Sequence, residues 1–316
     1  PERTGIVMGT AMAGIATIAY TQEALTGASH KKVGPRFIPK ILGNIAAANI
    51  AIDYNIQGPS FTVSTACSSG GDAINTACMC MQSGKADIML AVGAESVLCP
   101  LVIYSLANAK ALSRRNDSPS TASRPFDVTR DGFVIGEGGG ALVLETEEHA
   151  LARGAKIYAE IRGCGNTDDA YHVTAPHPEG RGAIACMKQA IAEAGINPSD
   201  IGYINAHGTA TNKGDTVETS SIKKVFGNTL PYVSSTKGAT GHMMGAGGIT
   251  ETITCVKAIE TVTVPPTINL NEVDPECAGI DFVANTAKKA EINFAMSNAF
   301  GFGGQNSSII VGKYGK

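Results

Sequence analysis

The stretch Ser64-Thr65-Ala66-Cys67-Ser68-Ser69-Gly70-Gly71 decides the fold of this chain. It follows the short apolar run 61–63 and precedes residues 72–81, whose composition predicts a helix. A strand that turns directly into a helix places the turn beside unpaired N–H groups at the helix N-terminus. We therefore expect the helix dipole to stabilise the Cys67 thiolate and hold its pKa below the free value of roughly 8.5. Two interpretations stay open here, a nucleophilic thiol and an inert cysteine buried in a small-residue turn.

The composition limits the classes of protein to which the chain can belong. Its 316 residues suffice for one large domain or for two domains of about 150 residues each. Hydrophobic residues make up 43%, and the net charge is −3. The charge excludes the basic footprint of a nucleic-acid-binding protein. No apolar run reaches the roughly 18 residues of a membrane span, and residues 1–4 do not read as a signal peptide. We predict no membrane insertion.

The cysteines indicate the redox compartment. There are eight, at positions 67, 78, 80, 99, 164, 186, 255 and 277. No Cys-x-x-Cys pair occurs, and a chain of this length needs no disulfide framework, so we predict neither a zinc site nor disulfides. A reducing compartment is favoured.

The apolar patterns predict alternating strands and helices. Strands are expected at 5–8, 61–63, 87–92, 141–145, 156–164, 201–205, 232–235, 281–284, 293–298 and 307–311. Helices are expected up to about residue 25 and at 39–52, 72–81, 147–153, 181–194, 215–226 and 249–260. Such alternation indicates an α/β fold with mixed sheets that are covered on both faces. The glycines at 136–140 precede a strand rather than a helix, which argues against a nucleotide site.

A loop-like segment at about 160–180 divides the chain into two halves, predicted as 1–165 and 166–316. The Cys67 turn and the segment Asn205-Ala206-His207-Gly208-Thr209 each lie between a strand and a helix. This similarity suggests duplicated halves whose strand ends meet at one site. Two further small-residue segments also follow predicted strands, namely 234–242 with Lys237 and His242, and 298–306 with Gly301, Phe302, Gly303 and Gly304.

These motifs resemble those of the β-ketoacyl-acyl-carrier-protein synthases, the elongating, type II-like condensing enzymes of the thiolase superfamily. The resemblance covers essentially the whole chain and includes the Cys67 turn, Ser123–Asp127, Arg130–Phe133, His207-Gly-Thr, Thr236-Lys237, Gly241-His242, Pro265–Asn269 and Gly301–Gly304. It implies a thiolase-like, duplicated five-layer αβαβα fold with two mixed sheets around buried helices. The implied activity is the decarboxylative condensation of an acyl thioester with malonyl-acyl-carrier protein in fatty acid elongation.

The resemblance also implies catalytic roles. Cys67 would accept the acyl group, and His207 and His242 would hold the malonyl thioester oxygen during decarboxylation. Lys237 and Glu218 match the family's supporting pair for these imidazoles. The backbone N–H groups of Cys67 and Phe302 would form an oxyanion hole, with Gly301 and Gly303 giving the loop its freedom.

Further residues are implied for substrates and partners. Met12 would line the acyl pocket, Thr209 and Thr211 would bind the phosphopantetheine arm, and Phe300 would also contact substrate. Lys31, Lys32 and Lys110 would meet the acidic carrier protein, with Arg114 and Arg115 extending that surface. The family is homodimeric, and the phosphopantetheine belongs to the carrier substrate, so no cofactor and no metal is expected. The implied location is cytoplasmic, or the mitochondrial or plastid interior.

The chain departs from the family by lacking roughly its first hundred residues, including the first core strand. On this ground we expect exposed apolar sheet edges, and an inactive fragment stays an alternative. A polyketide ketosynthase shares the Cys-His-His set and is another. A degradative thiolase would carry a second cysteine near the C-terminus, and a chain-length factor would lack Cys67. A papain-like protease would need an asparagine and a different order of elements.

Overall fold

The structure is a computed structural model that describes residues 1–26 and 33–315. Lys31 and Lys32 lie outside the described residues. The strands are β1 Thr4–Gly9, β2 Ser60–Val63, β3 Ile88–Glu95, β4 Gly138–Glu145, β5 Glu160–Asp168, β6 Ile201–Asn205, β7 Tyr232–Ser234, β8 Thr263–Val264, β9 Lys288–Lys289, β10 Phe294–Phe300 and β11 Gln305–Gly312. The helices are α1 Ile15–Thr26, α2 Phe37–Ile41, α3 Ile45–Tyr54, α4 Ser69–Gln82, α5 Pro100–Asn108, α6 Glu147–Ala152, α7 Arg181–Ala194, α8 Asn212–Phe226, α9 Lys237–Thr240 and α10 Gly247–Thr261.

Two mixed sheets form the frame. The first has the order β2-β1-β3-β4 and the second the order β5-β11-β10-β6-β7. In the first sheet β1, β2 and β3 are parallel, and β4 is antiparallel to β3. In the second sheet β6, β7 and β10 are parallel, and β11 is antiparallel to β10. The series β2-β1-β3-β4 therefore repeats as β7-β6-β10-β11, which is a duplicated topology.

The helices α4 and α10 lie between the two sheets. Helix α4 packs on β1, β3 and β11, and α10 packs on β4, β6 and β10. Ile74 of α4 and Ile249 of α10 are fully buried in the shared core, where each isoleucine contributes roughly 1.5–3 kcal/mol relative to an exposed side chain. Helix α3 packs on β1 and β2, whereas α7 packs on β5, β11 and α8. The predicted five-layer αβαβα fold is confirmed.

The topology corrects the internal similarity proposed from sequence. Strand β2, which delivers Cys67, is the outer strand of its sheet, and so is β7, which leads towards His242. Strand β6, which leads to His207, occupies the same place as β1. The counterpart of the Cys67 turn is thus the His242 segment, and the counterpart of the His207 loop is the turn at 10–14. Matching residue types had suggested the wrong pair, because both loops are rich in small residues.

Most predicted elements form, and the short elements α9, β8 and β9 are additions. Three larger differences concern longer elements. The helix expected at 39–52 is divided into α2 and α3, which are separated by Leu42, Gly43 and Asn44. Helix α5 was not predicted, although Pro100 at its first position is typical of a helix start. The strand expected at 281–284 is reduced to isolated bridges from Phe282 and Ala284. None of the helices within 1–26 and 33–315 combines the length and the apolar character needed to cross a membrane.

Candidate active site

The Cys67 turn joins β2 to α4 through a single 3₁₀ turn. Ala66 takes a left-handed conformation with φ 51°, which turns the chain sharply after the strand. Cys67 lies in the 3₁₀ turn that runs into α4, and its side chain is 8% exposed. The hydroxyl of Ser69 accepts the Thr65 N–H at 2.9 Å and donates to the Ala66 carbonyl at 2.7 Å. The turn therefore presents the thiol at the N-terminal end of a central helix.

The protonation state of Cys67 differs from the expectation. Burial raises the pKa of the thiol to about 11, although the Phe302 N–H and the Lys237 ammonium both act to lower it. The prediction of a depressed pKa was wrong, because desolvation of the thiolate outweighs the favourable dipole and hydrogen bond in this enclosed site. Cys67 is therefore a neutral thiol at pH 7.

The two histidines predicted for catalysis converge on this thiol. His242 Nε2 lies 3.1 Å from Cys67 Sγ, and the His207 and His242 ring centroids are 5.3 Å apart at an interplanar angle of 86°. Phe133 packs edge-on against His242, with ring centroids 5.2 Å apart. Two histidines that lie 140 and 175 positions after Cys67 in the chain thus form one cluster with its sulfur.

Both histidines are held neutral. Burial lowers the pKa of each imidazole well below 6.5, and the Lys237 ammonium lowers both further. Neither Nδ1 atom has a hydrogen-bond partner among the described residues. The tautomer that donates towards the thiol is the one that carries its proton on Nε2. Two such donors can stabilise a developing oxyanion.

The same cluster is the one group of the described residues with metal-binding geometry. The sulfur of Cys67 and one ring nitrogen from each of His207 and His242 all lie within 4.8 Å of one another. Histidines of a resident zinc site almost always donate their second ring nitrogen to a fixed partner, and here both Nδ1 atoms lack one. This argues for catalytic rather than metal-binding histidines, and the absence of a metal stays a prediction.

Glu218 and Lys237 are both buried at the site, but among the described residues neither hydrogen-bonds to an imidazole ring. The Glu218 carboxylate accepts the backbone N–H groups of His207 and Gly208, each at 2.8 Å, and burial raises its pKa to about 7. Lys237 Nζ pairs with Glu251, a residue on α10 that sequence analysis missed. Glu218 therefore fixes the His207 backbone, whereas Lys237 acts on both rings through its charge.

The loop between β10 and β11 closes over the thiol. The Phe302 N–H hydrogen-bonds to Cys67 Sγ, and the Phe302 ring is 38% exposed. Gly301 approaches the Cys67 turn so closely that an added Cβ would lie 2.8 Å from the Thr65 carbonyl oxygen. Gly303 has φ +94°, a left-handed conformation that favours glycine. The geometry agrees with the predicted place of this loop beside the nucleophile.

A cavity of about 130 Å³ connects the thiol with solvent and is lined by all four residues predicted to bind substrate. Met12, with Leu106, Phe133 and Met244, forms an apolar part of the lining. Thr209 and Thr211 lie in the polar part, with their hydroxyl oxygens 3.0 Å apart. Phe300 lies beside His207, with ring centroids 6.0 Å apart. The cavity thus has both apolar and hydroxyl-bearing lining next to the catalytic cluster.

Residues 123–136 hydrogen-bond to the segments that carry His207 and His242. The Ser123 hydroxyl donates to the Lys237 carbonyl at 2.6 Å, and the Phe126 N–H donates to Asp215 at 2.8 Å. Arg130 is 4% exposed and pairs with Asp274 at 2.6 Å and with Asp215 at 3.4 Å. The charges of Arg124, Asp127 and Arg130 are buried and hold the two histidine loops.

The remaining predicted surface is only partly described. Lys110 is exposed and has φ 57°, directly after α5, and Arg114 is exposed nearby. Lys31 and Lys32 fall outside the described residues, so their relation to Lys110 stays a prediction.

Comparison with known proteins identifies relatives of the whole chain. The family model described as beta-ketoacyl synthase, N-terminal domain, matches residues 1–150, and the beta-ketoacyl synthase, C-terminal domain, matches residues 158–271. A 3-oxoacyl-[acyl-carrier-protein] synthase 2 of Rhizobium meliloti is 45% identical over 98% of this chain and 74% of its own length. The mitochondrial 3-oxoacyl-[acyl-carrier-protein] synthase of Arabidopsis thaliana is 44% identical over 98% of this chain and 68% of its own length.

Solved structures show the same fold. A type II polyketide ketosynthase in complex with its acyl-carrier protein has a TM-score of 0.94 at 34% identity, covering 99% of this chain and 78% of that chain. A beta-ketoacyl synthase from Burkholderia phymatum has a TM-score of 0.90 at 35% identity, covering 99% and 76%. Both similarities extend over the two halves and the site between them.

Proposed function

The chain belongs to the β-ketoacyl synthase family, and we propose that it condenses an acyl thioester with malonyl-acyl-carrier protein, using Cys67, His207 and His242 as its catalytic residues. The product is a 3-oxoacyl-acyl-carrier protein, and the reaction is an acyl transfer in fatty acid elongation. The observation that carries the residue assignment is the convergence of one thiol with two neutral imidazoles in a single cavity.

The first step transfers the acyl group to the enzyme. Cys67 Sγ attacks the thioester carbonyl carbon, and the Cys67 and Phe302 N–H groups hold the oxyanion. The carbon–sulfur bond to the carrier breaks, and the thiol proton ends on the departing pantetheine thiol. Because the thiol is neutral at pH 7, its deprotonation accompanies substrate binding and attack.

The second half of the reaction makes the carbon–carbon bond. His207 and His242 donate from Nε2 to the malonyl thioester oxygen, the bond to the carboxylate breaks, and CO₂ leaves behind an enolate. The enolate carbon attacks the acyl-Cys67 carbonyl, and the thiolate departs. Neutral imidazoles suit this step, because an imidazolium would protonate the enolate before it could attack.

The test uses Cys67→Ala with Cys99→Ala as a matched control, since Cys99 is a buried cysteine of the same apolar cluster. We expect Cys67→Ala to abolish condensation while CO₂ release from malonyl-carrier protein persists or rises. His207→Ala and His242→Ala should each lower CO₂ release by orders of magnitude, as loss of an oxyanion donor costs about 10²–10³ in rate. Elongation by Cys67→Ala would refute the assignment of the nucleophile.

A polyketide ketosynthase is the second candidate, since a polyketide enzyme is among the similar structures. The higher identity to the 3-oxoacyl synthases supports the fatty acid pathway. The products distinguish the two: fatty acid elongation extends a saturated acyl chain once, whereas a polyketide enzyme extends a chain that already carries 3-oxo groups.

For partners, we propose an acyl-carrier protein and a second copy of the chain. The carrier would meet Lys110, Arg114 and Arg115 through its acidic surface. Lys110→Glu should then raise KM for carrier-bound substrates and leave KM for a free pantetheine thioester unchanged, and an equal rise for both would contradict this surface. The dimer would cover exposed apolar residues at α3 and β2, where Ile52 is 76% and Phe61 47% exposed. Sedimentation velocity measures whether the chain forms this dimer.

For location, we propose a reducing interior, either bacterial cytoplasm or an organelle. The eight unpaired cysteines support this proposal. We also propose that the enzyme uses no cofactor of its own, because the thiol and imidazoles together supply every group that the reaction needs.

A further inference from the structure

Glu95 is a buried carboxylate beside the catalytic cluster that no catalytic step uses. It ends β3 and is 4% exposed. Its oxygens accept four hydrogen bonds, from the Thr10 hydroxyl at 3.1 Å and from the N–H groups of Ala11 at 2.6 Å, Met12 at 3.2 Å and Gly245 at 3.1 Å. No cation within the described ranges forms a salt bridge with it. A buried charge satisfied by backbone N–H groups holds those groups firmly in place.

The four donors belong to two separate segments. Residues 10–12 form the turn after β1, and this turn brings Met12 to the apolar wall of the cavity. Gly245 lies three residues after His242, in the turn that leads into α10. The two turns are in direct contact, because a Cβ added to Gly245 would lie 2.5 Å from the Ala11 nitrogen. One oxygen, Oε2, accepts both the Ala11 and the Gly245 N–H.

We propose that Glu95 is a positioning residue that locks the acyl-pocket turn at Met12 to the turn after His242, and so sets which acyl chains Cys67 accepts. The proposal rests on the proposed function and deepens it. Met12 and Met244 both line the cavity, and each belongs to one of the turns that Glu95 joins. The pocket wall therefore cannot shift for a longer or shorter acyl chain without moving the segment that carries the catalytic histidine.

The charge of Glu95 provides a second, independent readout. Its carboxylate acts against the Cys67 thiolate, as does that of Glu251, whereas the Lys237 ammonium favours the thiolate. His207 and His242, which also face the thiol, are uncharged. Neutralising Glu95 therefore lowers the pH at which Cys67 becomes reactive. A carboxylate with a merely structural role would not have this effect.

The test compares Glu95→Gln with Glu137→Gln. Glu137 is a matched control, because it accepts the Ser96 hydroxyl at 3.1 Å and the Leu98 N–H at 2.7 Å just beyond the same strand. Intact mass gives the rate of acyl-Cys67 formation from short-chain and long-chain acyl-carrier proteins. In Glu95→Gln an NH₂ group replaces one carboxylate oxygen and cannot accept the two hydrogen bonds made to it, so the two turns are held less firmly. The ratio of the highest to the lowest kcat/KM across acyl chain lengths should therefore fall by about tenfold or more. Glu137→Gln should keep the spread of the unaltered chain.

Alkylation of Cys67 by iodoacetamide as a function of pH is the second measurement, and it needs no acyl substrate. Glu95→Gln should move the midpoint to lower pH, and Glu137→Gln should not. If Glu95→Gln folds poorly, Thr10→Val serves in its place, because it removes one of the hydrogen bonds to Glu95. It should also narrow the spread of kcat/KM across acyl chain lengths, but by less. An unchanged spread or an unchanged midpoint in Glu95→Gln overturns the proposal. Failure of the unaltered chain to form acyl-Cys67 overturns the proposed function instead. The midpoint pH of alkylation then still tests the effect of Glu95 on Cys67.

Discussion

The buried pair of Lys237 and Glu251 supports a prediction about stability and product distribution. The two side chains are 2% and 3% exposed. Glu251→Gln leaves the ammonium buried without a countercharge, and breaking such a pair by removing one partner costs about 3–5 kcal/mol. For 316 residues, an unfolding entropy of about 2.1 cal/mol/K per residue amounts to roughly 0.66 kcal/mol/K. Tm should therefore fall by about 5–8 °C.

The double variant Lys237→Met with Glu251→Leu separates the cost of an unpaired charge from the value of the pair. Replacing both charges with apolar side chains is often neutral or stabilising, so its Tm should lie near that of the unaltered chain. Its catalysis should still differ. Lys237 lowers the pKa of both His207 and His242, so its loss raises both pKa values and the imidazoles take up protons at higher pH.

A protonated imidazole donates its proton to the enolate, which then ends as acetyl-carrier protein instead of forming the new carbon–carbon bond. In the double variant the ratio of acetyl- to 3-oxoacyl-carrier protein should therefore rise as pH falls, at pH values where the unaltered chain stays coupled. Scanning calorimetry measures Tm, and mass spectrometry of the carrier proteins measures the ratio. A double variant as unstable as Glu251→Gln, or a ratio independent of pH, would refute the reasoning.

Three further predictions follow, two for the histidines and one for the central helices. Because burial holds the pKa of His207 and His242 well below 6.5, CO₂ release should not decline as pH falls through 6.5, and a half-maximal rate near that pH would contradict the assignment. The lowered pKa values of the two histidines also affect stability. Their contribution to the free energy of unfolding is complete above pH 6.5 and is lost as pH falls towards the folded-state pKa, and acid unfolding measures this loss. Gly70→Ala should cost about 1–3 kcal/mol, since its Cβ would lie 2.7 Å from the Ile249 nitrogen. Gly34→Ala is the control, with nothing within 4 Å of its added Cβ, and equal Tm values for the two would contradict the packing argument.

The sequence predicted the fold well where each element had its own signal. Helix α7 was predicted at its observed bounds, because Met187 and Ile191 repeat along one buried face. Strand β3 was predicted because its apolar run at 88–92 is continuous. The helix expected at 39–52 breaks at Leu42, whose extended backbone (φ −71°, ψ 129°) ends α2 before α3 begins. Periodicity over a long window does not register such a local break.

The site was predictable in its reacting groups and not in the groups that tune them. Cys67, His207 and His242 lie in small-residue loops after strands, which is visible in the sequence. Glu95 and Glu251 look like ordinary surface acids, because a glutamate on a strand end or a helix is usually solvated. Their roles depend on which face of β3 and α10 turns inward. The pKa of Cys67 failed for the same reason, since desolvation is a property of the assembled core.

One signal for the assembly of the site is present in the sequence. Helix α4 begins after Cys67 with the pair Gly70-Gly71, and α10 begins after His242 with the pair Gly247-Gly248. A Cβ on Gly248 would lie 2.4 Å from the Gly71 nitrogen, so the first turns of the two helices touch backbone to backbone. That approach is what allows the residues before each helix to meet, with His242 Nε2 3.1 Å from Cys67 Sγ. The paired glycines thus allow the segments that follow the outer strands β2 and β7 to meet at one catalytic contact. Comparing only the reactive residues in the sequence had instead matched the Cys67 turn with the His207 loop.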